Sequence, residues 1–190
     1  MPRRPSFDKD ELIDRATDLF WRRGWAGTSL KDLENELKLK PGSFYAAFGS
    51  KDALFELALD RFARDGAKAI AVLVNEIGPL NALKSWPMLS VQDAQAPAMA
   101  CMLSKTLLEL RTHAHPLADQ AAAHLNTFEQ VFADVFAQAQ AAGQIRASHD
   151  PNKLARRYQS DLLGVRVLAE HNPEGAAEIA EDIAEGLSSL

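Results

Sequence analysis

The chain has 190 residues, 47% hydrophobic and 25% charged, a composition typical of a globular protein that buries a core. A single cysteine excludes an internal disulfide, and no run of about 18 uncharged apolar residues predicts a membrane span, so we expect a cytoplasmic protein without a membrane partner. The net charge of −5 is unevenly distributed. Residues 1–68 carry 13 Lys and Arg against 12 Asp and Glu, whereas residues 69–190 carry 8 against 14. The first third is therefore better suited than the rest to approach an anionic partner.

Helical periodicity and a scarcity of β-branched runs predict an all-α fold of eight or nine helices. In the N-terminal part Asp8 and Gly24 are a cap and a stop for the first helix, and Pro41 suits the first position of the third. The predicted N-terminal helices are 7–23, 30–37, 41–47, and 51 to beyond 74. The predicted C-terminal helices are 80–86, 98–112, 117–142, 150–171 and 173–190, with an irregular loop between the first two.

The segment 28–51, TSLKDLENELKLKPGSFYAAFGSK, reads as two short helices joined by a tight corner. Phe44 and Phe48, four residues apart, are expected to face inward, which leaves small residues and one tyrosine on the outer surface of the second helix. A helix of this kind fits a DNA major groove, and hydroxyl, ammonium and helix N-terminal groups at its flanks bind phosphate oxygens. The alternative is that these residues are ordinary caps and a solvated tyrosine. The predicted DNA-contacting residues are Thr28, Ser29, Lys38, Lys40, Gly42, Ser43, Tyr45, Ala46 and Lys51.

The motifs T-S-L-x-D-L and P-G-S-F-Y-A-A-F-G-S-K-D-A-L-F resemble the DNA-binding domain of TetR family transcriptional regulators, over about residues 7–62. The resemblance implies an N-terminal three-helix helix-turn-helix DNA-binding domain at residues 1–50 and a C-terminal helical effector-binding and dimerisation domain at residues 51–190. It also implies a homodimer through the last two helices, a palindromic double-stranded operator, and repression that an unknown small-molecule effector relieves. Four positions depart from the family pattern. Lys38 stands where glycine is frequent and Lys40 where a serine cap is usual, and Ala46 and Ala47 stand where many relatives have an aromatic residue and a histidine.

Two other functions stay open at this stage. One is a cytosolic helical sensor or dimerisation protein without DNA binding. The other is a thiol-based electrophile sensor that uses Cys101, although a buried, inert cysteine fits the apolar surroundings of that residue as well. No catalytic motif indicates an enzyme, and the spacing of His113, His115 and His124 does not predict a metal site. We therefore predict no cofactor and no metal.

Aromatic and methionine side chains of the C-terminal part are candidates for a ligand pocket, although the same spacing is typical of core helices. The candidates are Trp86, Met99, Met102, Phe128, Phe132 and Tyr158. The last two helices carry apolar stripes, and Gly164 permits close helix approach in the first of them. These stripes predict a dimer seam, with closure of the monomer core as the alternative.

Overall fold

The computed structural model describes residues 8–190, which form nine α-helices and no strand, so the all-α prediction is confirmed. None of the helices in this described part is long and apolar enough to cross a membrane. The helices are α1 Lys9–Arg23, α2 Leu30–Leu37, α3 Pro41–Phe48, α4 Lys51–Ile77, α5 Pro79–Val91, α6 Met102–Arg111, α7 Pro116–Ala141, α8 Pro151–Ala169 and α9 Pro173–Ser188.

The N-terminal helices α1 to α3 pack on the first half of α4 around fully buried aromatic and leucine side chains. Phe20 and Phe55 meet edge to face with ring centroids 4.5 Å apart, a favourable arrangement for aromatic pairs. The same core continues into α6 and the start of α7 through Met102 and Leu117. The predicted boundary at residue 50 falls on Ser50, the N-cap of α4, while the N-terminal core extends beyond it.

Local sequence sets the corners of the N-terminal region. Ser29 and Asp32 form a reciprocal capping box at the start of α2. Lys38 ends α2 in the left-handed conformation, with φ of 55° and ψ of 38°, which costs a non-glycine residue about 1 kcal/mol. Pro41 then opens α3, where its missing N–H leaves no intrahelical bond unmade.

The sequence placed the end of the fifth helix too early. Helix α5 runs to Val91 and contains Pro87 in its interior. Proline has no N–H to bond the carbonyl of Leu83 four residues earlier, and in this fold the buried hydroxyl of Tyr158 donates to that carbonyl at 2.7 Å. A tertiary hydrogen bond thus satisfies the acceptor that the proline leaves free, and the helix continues past it.

The predicted start of the sixth helix at residue 98 is also wrong, because α6 begins at Met102 with Cys101 as its N-cap. The preceding backbone is held by side chains from other helices. The Glu170 carboxylate accepts from the Ala100 N–H at 2.7 Å, and Arg166 donates to the Met99 carbonyl at 2.7 Å. Helices α5, α7, α8 and α9 enclose a second core around Phe132, Phe136 and other apolar side chains.

Candidate DNA-binding face and inner cavity

Helix α3 presents its outer face to solvent, as predicted. Phe44 and Phe48 are buried, whereas Gly42, Ser43 and Ala46 are exposed. Tyr45 is 49% exposed, the largest side chain of this face, and its ring meets the edge of Phe44 at 5.7 Å. A Cβ added at Gly42 would meet nothing within 4 Å, so this part of the helix leaves its backbone open to close approach. We call the exposed residues Gly42, Ser43, Tyr45 and Ala46 the α3 face.

The corner before α3 carries two exposed lysines, Lys38 and Lys40. Within residues 8–190 neither side chain forms an ion pair or a hydrogen bond with the protein, and Lys40 caps α3 through its backbone only. Their ammonium groups are therefore free to bind phosphate oxygens beside the α3 face.

Thr28 and Ser29 do not present free hydroxyl groups, contrary to the prediction. The Thr28 side chain is fully buried and donates to the Gly24 carbonyl at 2.7 Å, which closes the turn after α1. The Ser29 hydroxyl lies 2.5 Å from the Asp32 carboxylate and accepts from the Asp32 N–H. These hydrogen bonds lower the pKa of Asp32. The negatively charged Asp32 carboxylate therefore lies beside the Ser29 hydroxyl, which the sequence predicted to bind phosphate.

Lys51 has a different role from the predicted one. Its Nζ donates to the carbonyls of Trp25 at 2.9 Å and Thr28 at 3.1 Å, and lies 3.7 Å from the centroid of the Trp25 ring. A cation at a helix N-terminus is unfavourable, and here backbone carbonyls and an aromatic face compensate for it. Partial burial lowers the pKa of the Lys51 ammonium. Lys51 thus fastens the α1–α2 turn to the start of α4.

Helix α6 holds the same turn from its other side, which the sequence did not reveal. The Glu109 carboxylate accepts from the backbone N–H groups of Trp25 at 3.1 Å and Ala26 at 2.7 Å. One turn earlier, the Lys105 ammonium donates to the Trp21 carbonyl at 2.7 Å, at the C-terminal end of α1 where a cation is favourable. Contacts that join residues about 84 positions apart leave no mark in local patterns. We call Lys51, Lys105 and Glu109 the turn clamp.

A cavity of about 800 Å³ lies between α1, α4, α5, α7 and α8. Of the predicted pocket residues, Trp86, Phe128 and Phe132 line it. Gly66 lies against the Phe128 ring, and a Cβ at this position would lie 2.8 Å from the ring. The absence of a side chain at residue 66 therefore leaves room for Phe128 in the cavity wall. Trp21 adds a further aromatic side chain and packs on Phe62 at 4.9 Å between centroids.

Three predicted pocket residues lie elsewhere. Met102 is buried in the N-terminal core, and Met99 packs beside a small cluster of α8 and α9 side chains. Tyr158 is buried between Phe132 and Phe136, where burial raises the pKa of its hydroxyl well above the usual value. The hydroxyl donates a hydrogen bond to the Leu83 carbonyl. A helical stripe contains both core-facing and cavity-facing residues, so spacing alone could not separate them.

Cys101 is buried, 7% exposed, and contributes to the cavity wall. Its thiol stands at the N-terminus of α6, but the nearby Lys105 ammonium is engaged by the Trp21 carbonyl. Among residues 8–190 no group of three or more His, Cys, Asp or Glu side chains is arranged to hold a metal ion.

Helices α8 and α9 leave an open apolar groove of about 610 Å³ on their outer side. Ile179, one of its lining residues, is 42% exposed. Gly164 and Gly186 lie in this groove, and a Cβ at either would meet nothing within 4 Å in the monomer. A second surface can therefore approach both helices closely.

Comparison with known families matches both halves of the chain. A family model described as bacterial regulatory proteins, tetR family, matches residues 12–58. A second, described as the tetracyclin repressor-like C-terminal domain, matches residues 83–178. The first covers α2, α3 and parts of α1 and α4, and the second covers most of the helices that enclose the cavity and the groove.

Similar proteins and structures agree with these matches. The transcriptional repressor ComR of Escherichia coli K12 is 28% identical over 176 residues, 90% of this chain and 82% of ComR. The repressor DhaR of Mycobacterium sp. GP1 is 25% identical over 87% of this chain and 85% of its own. A cysteine mutant of the TetR family regulator CifR, solved with 26-bp double-strand operator DNA, superimposes with a TM-score of 0.81 at 26% identity, over 96% of this chain and 98% of that one. A TetR family regulator from Cytophaga hutchinsonii shares the fold, with a TM-score of 0.85 at 21% identity, over 96% of this chain and 94% of that one.

Proposed function

We propose how a small molecule controls this protein, which belongs to the TetR family of bacterial regulatory proteins and is a DNA-binding transcriptional repressor, not an enzyme. A homodimer would bind a two-fold operator in the cytoplasm, and an effector in the inner cavity would release it. The observation that carries the proposal is the turn clamp, because two of its residues, Lys105 and Glu109, lie on α6, whose N-cap Cys101 lines the cavity.

The DNA-contacting surface in this proposal is the α3 face together with Lys38 and Lys40. The face offers one hydroxyl from Ser43, one phenol from Tyr45 and the methyl group of Ala46, so it has few groups that reach base edges. The two free lysines next to it supply phosphate contacts, which contribute affinity without reading sequence. Thr28, Ser29 and Lys51 are left out of this surface, because their polar groups already have partners in the protein.

The dimer in this proposal forms through the groove of α8 and α9. Exposed Ile179 would be covered, and Gly164 would allow the two copies of α8 to approach. A two-fold protein suits a palindromic operator, because each copy then places one α3 in a major groove about one helical turn away from the other.

Control by the effector would run along α6. Cys101 at its start lines the cavity, and Lys105 and Glu109 follow at intervals of four residues. Lys105 donates to the backbone at the end of α1, and Glu109 accepts from the backbone of the turn that follows. The Trp21 ring also lines the cavity, and its Nε1–H donates to the Ala100 carbonyl at 2.8 Å. A molecule that pushes on these walls moves the turn that carries α2 and α3. Release requires that the effector bind the moved form more tightly than the DNA-bound form.

A footprinting experiment on the DNA upstream of the chain's own gene tests the function. We expect the purified wild-type protein to protect a roughly two-fold symmetric site on this DNA. The triple variant Tyr45→Ala, Lys38→Gln, Lys40→Gln should lose the protection. Light scattering on the same samples should give a dimer, and Ile179→Glu should give monomers that bind the site weakly. If the protein protects no site on this DNA and retains no fragment from a pool of random genomic DNA, DNA binding is contradicted. That outcome would favour a sensor protein that does not bind DNA.

A further inference from the structure

Among the described residues, the inner cavity is lined by one arginine, Arg166, that forms no ion pair with a carboxylate. Six charged side chains line the cavity: Asp14, Asp18, Asp65, Asp93, Arg61 and Arg166. All four aspartates are exposed, so they lie at the rim, whereas the two arginines are mostly buried. Arg61 is paired with Asp10 and Asp14 at 2.6 and 2.7 Å. Within residues 8–190 no carboxylate forms an ion pair with Arg166, although the charges of Asp93 and Glu170 lie near enough to favour its protonated form.

The Arg166 guanidinium is fixed in direction by the protein. Its Nε–H donates to the Met99 carbonyl at 2.7 Å, and its planar group lies 5.6 Å from the centroid of the Trp21 ring. Trp21 is itself held by its bond to the Ala100 carbonyl. Burial lowers the pKa of Arg166, although an arginine stays protonated in proteins. The two terminal NH₂ groups form no hydrogen bond within the described part of the chain. They are also not among the polar atoms of this part that are both fully buried and without a hydrogen-bond partner.

A positioned, mostly buried guanidinium with free NH₂ groups matches the fork of a carboxylate or a comparable oxyanion. Burial of a charge whose terminal NH₂ groups are not bonded to any carboxylate is costly, so a ligand that supplies a directly bonded anion gains binding energy from it. The remaining interior walls are apolar, chiefly Trp86, Phe128, Phe132 and Leu162. The Gln159 side chain adds a polar group whose NH₂ already donates to the Leu125 carbonyl at 2.9 Å.

From this arrangement we infer that the cavity binds a small organic anion, an aromatic or aliphatic carboxylate whose acid group lies on Arg166 and whose apolar body lies against Phe128 and Phe132. The inference rests on the proposed function in so far as the ligand is the effector. The rival occupant is an organic cation bound by the aspartates of the rim. Those four residues are exposed, and Asp14 is already paired with Arg61, which makes that end the weaker anchor.

Calorimetric titration of the full-length protein with matched pairs of probes tests the ligand class. The pairs are benzoate and benzyl alcohol, 2-naphthoate and 2-naphthylmethanol, and decanoate and decan-1-ol, with the matching primary amines as a third arm. We expect the carboxylate to bind about tenfold more tightly than the alcohol in at least one pair. Equal or weaker binding of the carboxylate in every pair, or tighter binding of the amines, overturns the inference.

Two variants assign the effect to the residue. Arg166→Met keeps the length and apolar contacts of the side chain, and it should remove the advantage of the carboxylate while it leaves the alcohol within about twofold. Arg166→Lys should retain part of that advantage. Arg156→Met is the matched control, because it removes an arginine of the same helix that pairs with Glu129 outside the cavity. An unchanged carboxylate preference in folded Arg166→Met overturns the assignment, and if that variant is unfolded the wild-type comparison still decides the ligand class.

Operator binding in the presence of each probe is measured separately. Carboxylate binding that leaves DNA affinity unchanged would contradict the proposed release mechanism but not the ligand class. Release of DNA by the alcohol and not by the carboxylate would contradict the ligand class but not release.

Discussion

The two turns of the N-terminal region are built in opposite ways. The α1–α2 turn is held by the turn clamp, with charged side chains from α4 and α6 bonded to its backbone and a buried Thr28 closing it. The α2–α3 turn carries Lys38 and Lys40, whose side chains have no bonded partner among the described residues. We infer that the two turns have different roles. The first turn attaches α2 and α3 to α4 and α6, and the second leaves its lysines free to contact DNA.

Replacing Lys51 by Met should have the largest effect on the first turn. The variant loses two hydrogen bonds from a charged donor and its contact with the Trp25 ring, so we expect the free energy of unfolding to fall by about 2 kcal/mol. Operator affinity should also fall at least about tenfold as α2 and α3 shift. The slope of affinity against salt should stay unchanged, because the Lys51 ammonium is bonded to carbonyls.

Urea denaturation and fluorescence anisotropy with operator DNA, at several salt concentrations, check this outcome. Lys68→Met, an exposed lysine of the same helix, is the control and should change stability by less than about 0.5 kcal/mol. A variant as stable as wild type with a salt slope reduced by one would show that Lys51 is a phosphate ligand after all.

Replacing Lys38 and Lys40 together by Gln should have the next largest effect and a different signature. The loss of two phosphate contacts should weaken operator binding about tenfold at moderate salt and reduce the salt slope by about 2. Stability should change by less than about 0.5 kcal/mol, since both side chains are exposed. The same anisotropy titrations provide the measurement, with Lys68 and Lys153 replaced by Gln as a control of equal charge.

If the double variant keeps the wild-type salt slope, the α2–α3 turn does not face phosphate. The comparison between the two turns then fails, and the affinity must come from the α3 face alone.

Replacing Glu109 by Gln should weaken the attachment of the α1–α2 turn to α6 more than it weakens operator binding. Glutamine has one acceptor oxygen, so one of the N–H groups of Trp25 and Ala26 loses its partner, at a cost of about 1 kcal/mol. Hydrogen exchange of these two amides should speed up, and operator affinity should fall a few-fold. Glu76→Gln, on an exposed part of α4, serves as the control. Unchanged exchange at Trp25 would contradict the role of Glu109 in the turn clamp.

The difference between the turns also explains what the sequence could predict. Local signals set the capping box of Ser29, the proline at the start of α3 and the inward direction of Phe44 and Phe48, so the helices and the α3 face followed from spacing. The roles of Lys51, Glu109 and Arg166 depend on partners about 26, 84 and 67 positions away, which no local pattern encodes. Pro87 was misread for the same reason, because the Tyr158 hydroxyl that satisfies the free carbonyl of Leu83 comes from a distant helix.

Ser29→Ala should have the smallest effect on operator affinity. It tests whether Ser29, at the start of α2, acts as a helix cap or as a phosphate ligand. The hydroxyl is a helix cap in this structure, so its removal should lower stability by about 1 kcal/mol. It also removes the hydrogen bond from the Ser29 hydroxyl to the Asp32 carboxylate, while the bond from the backbone N–H of residue 29 is kept, so the pKa of Asp32, which both bonds lower, should rise part of the way toward its ordinary value. The stabilisation that this carboxylate provides is present above its unfolded-state pKa and is lost as the pH falls through its folded-state pKa, so the stability difference between wild type and variant should narrow in acid. Operator affinity should change less than about threefold with an unchanged salt slope, and a loss of affinity without a loss of stability would instead place the Ser29 hydroxyl on a phosphate.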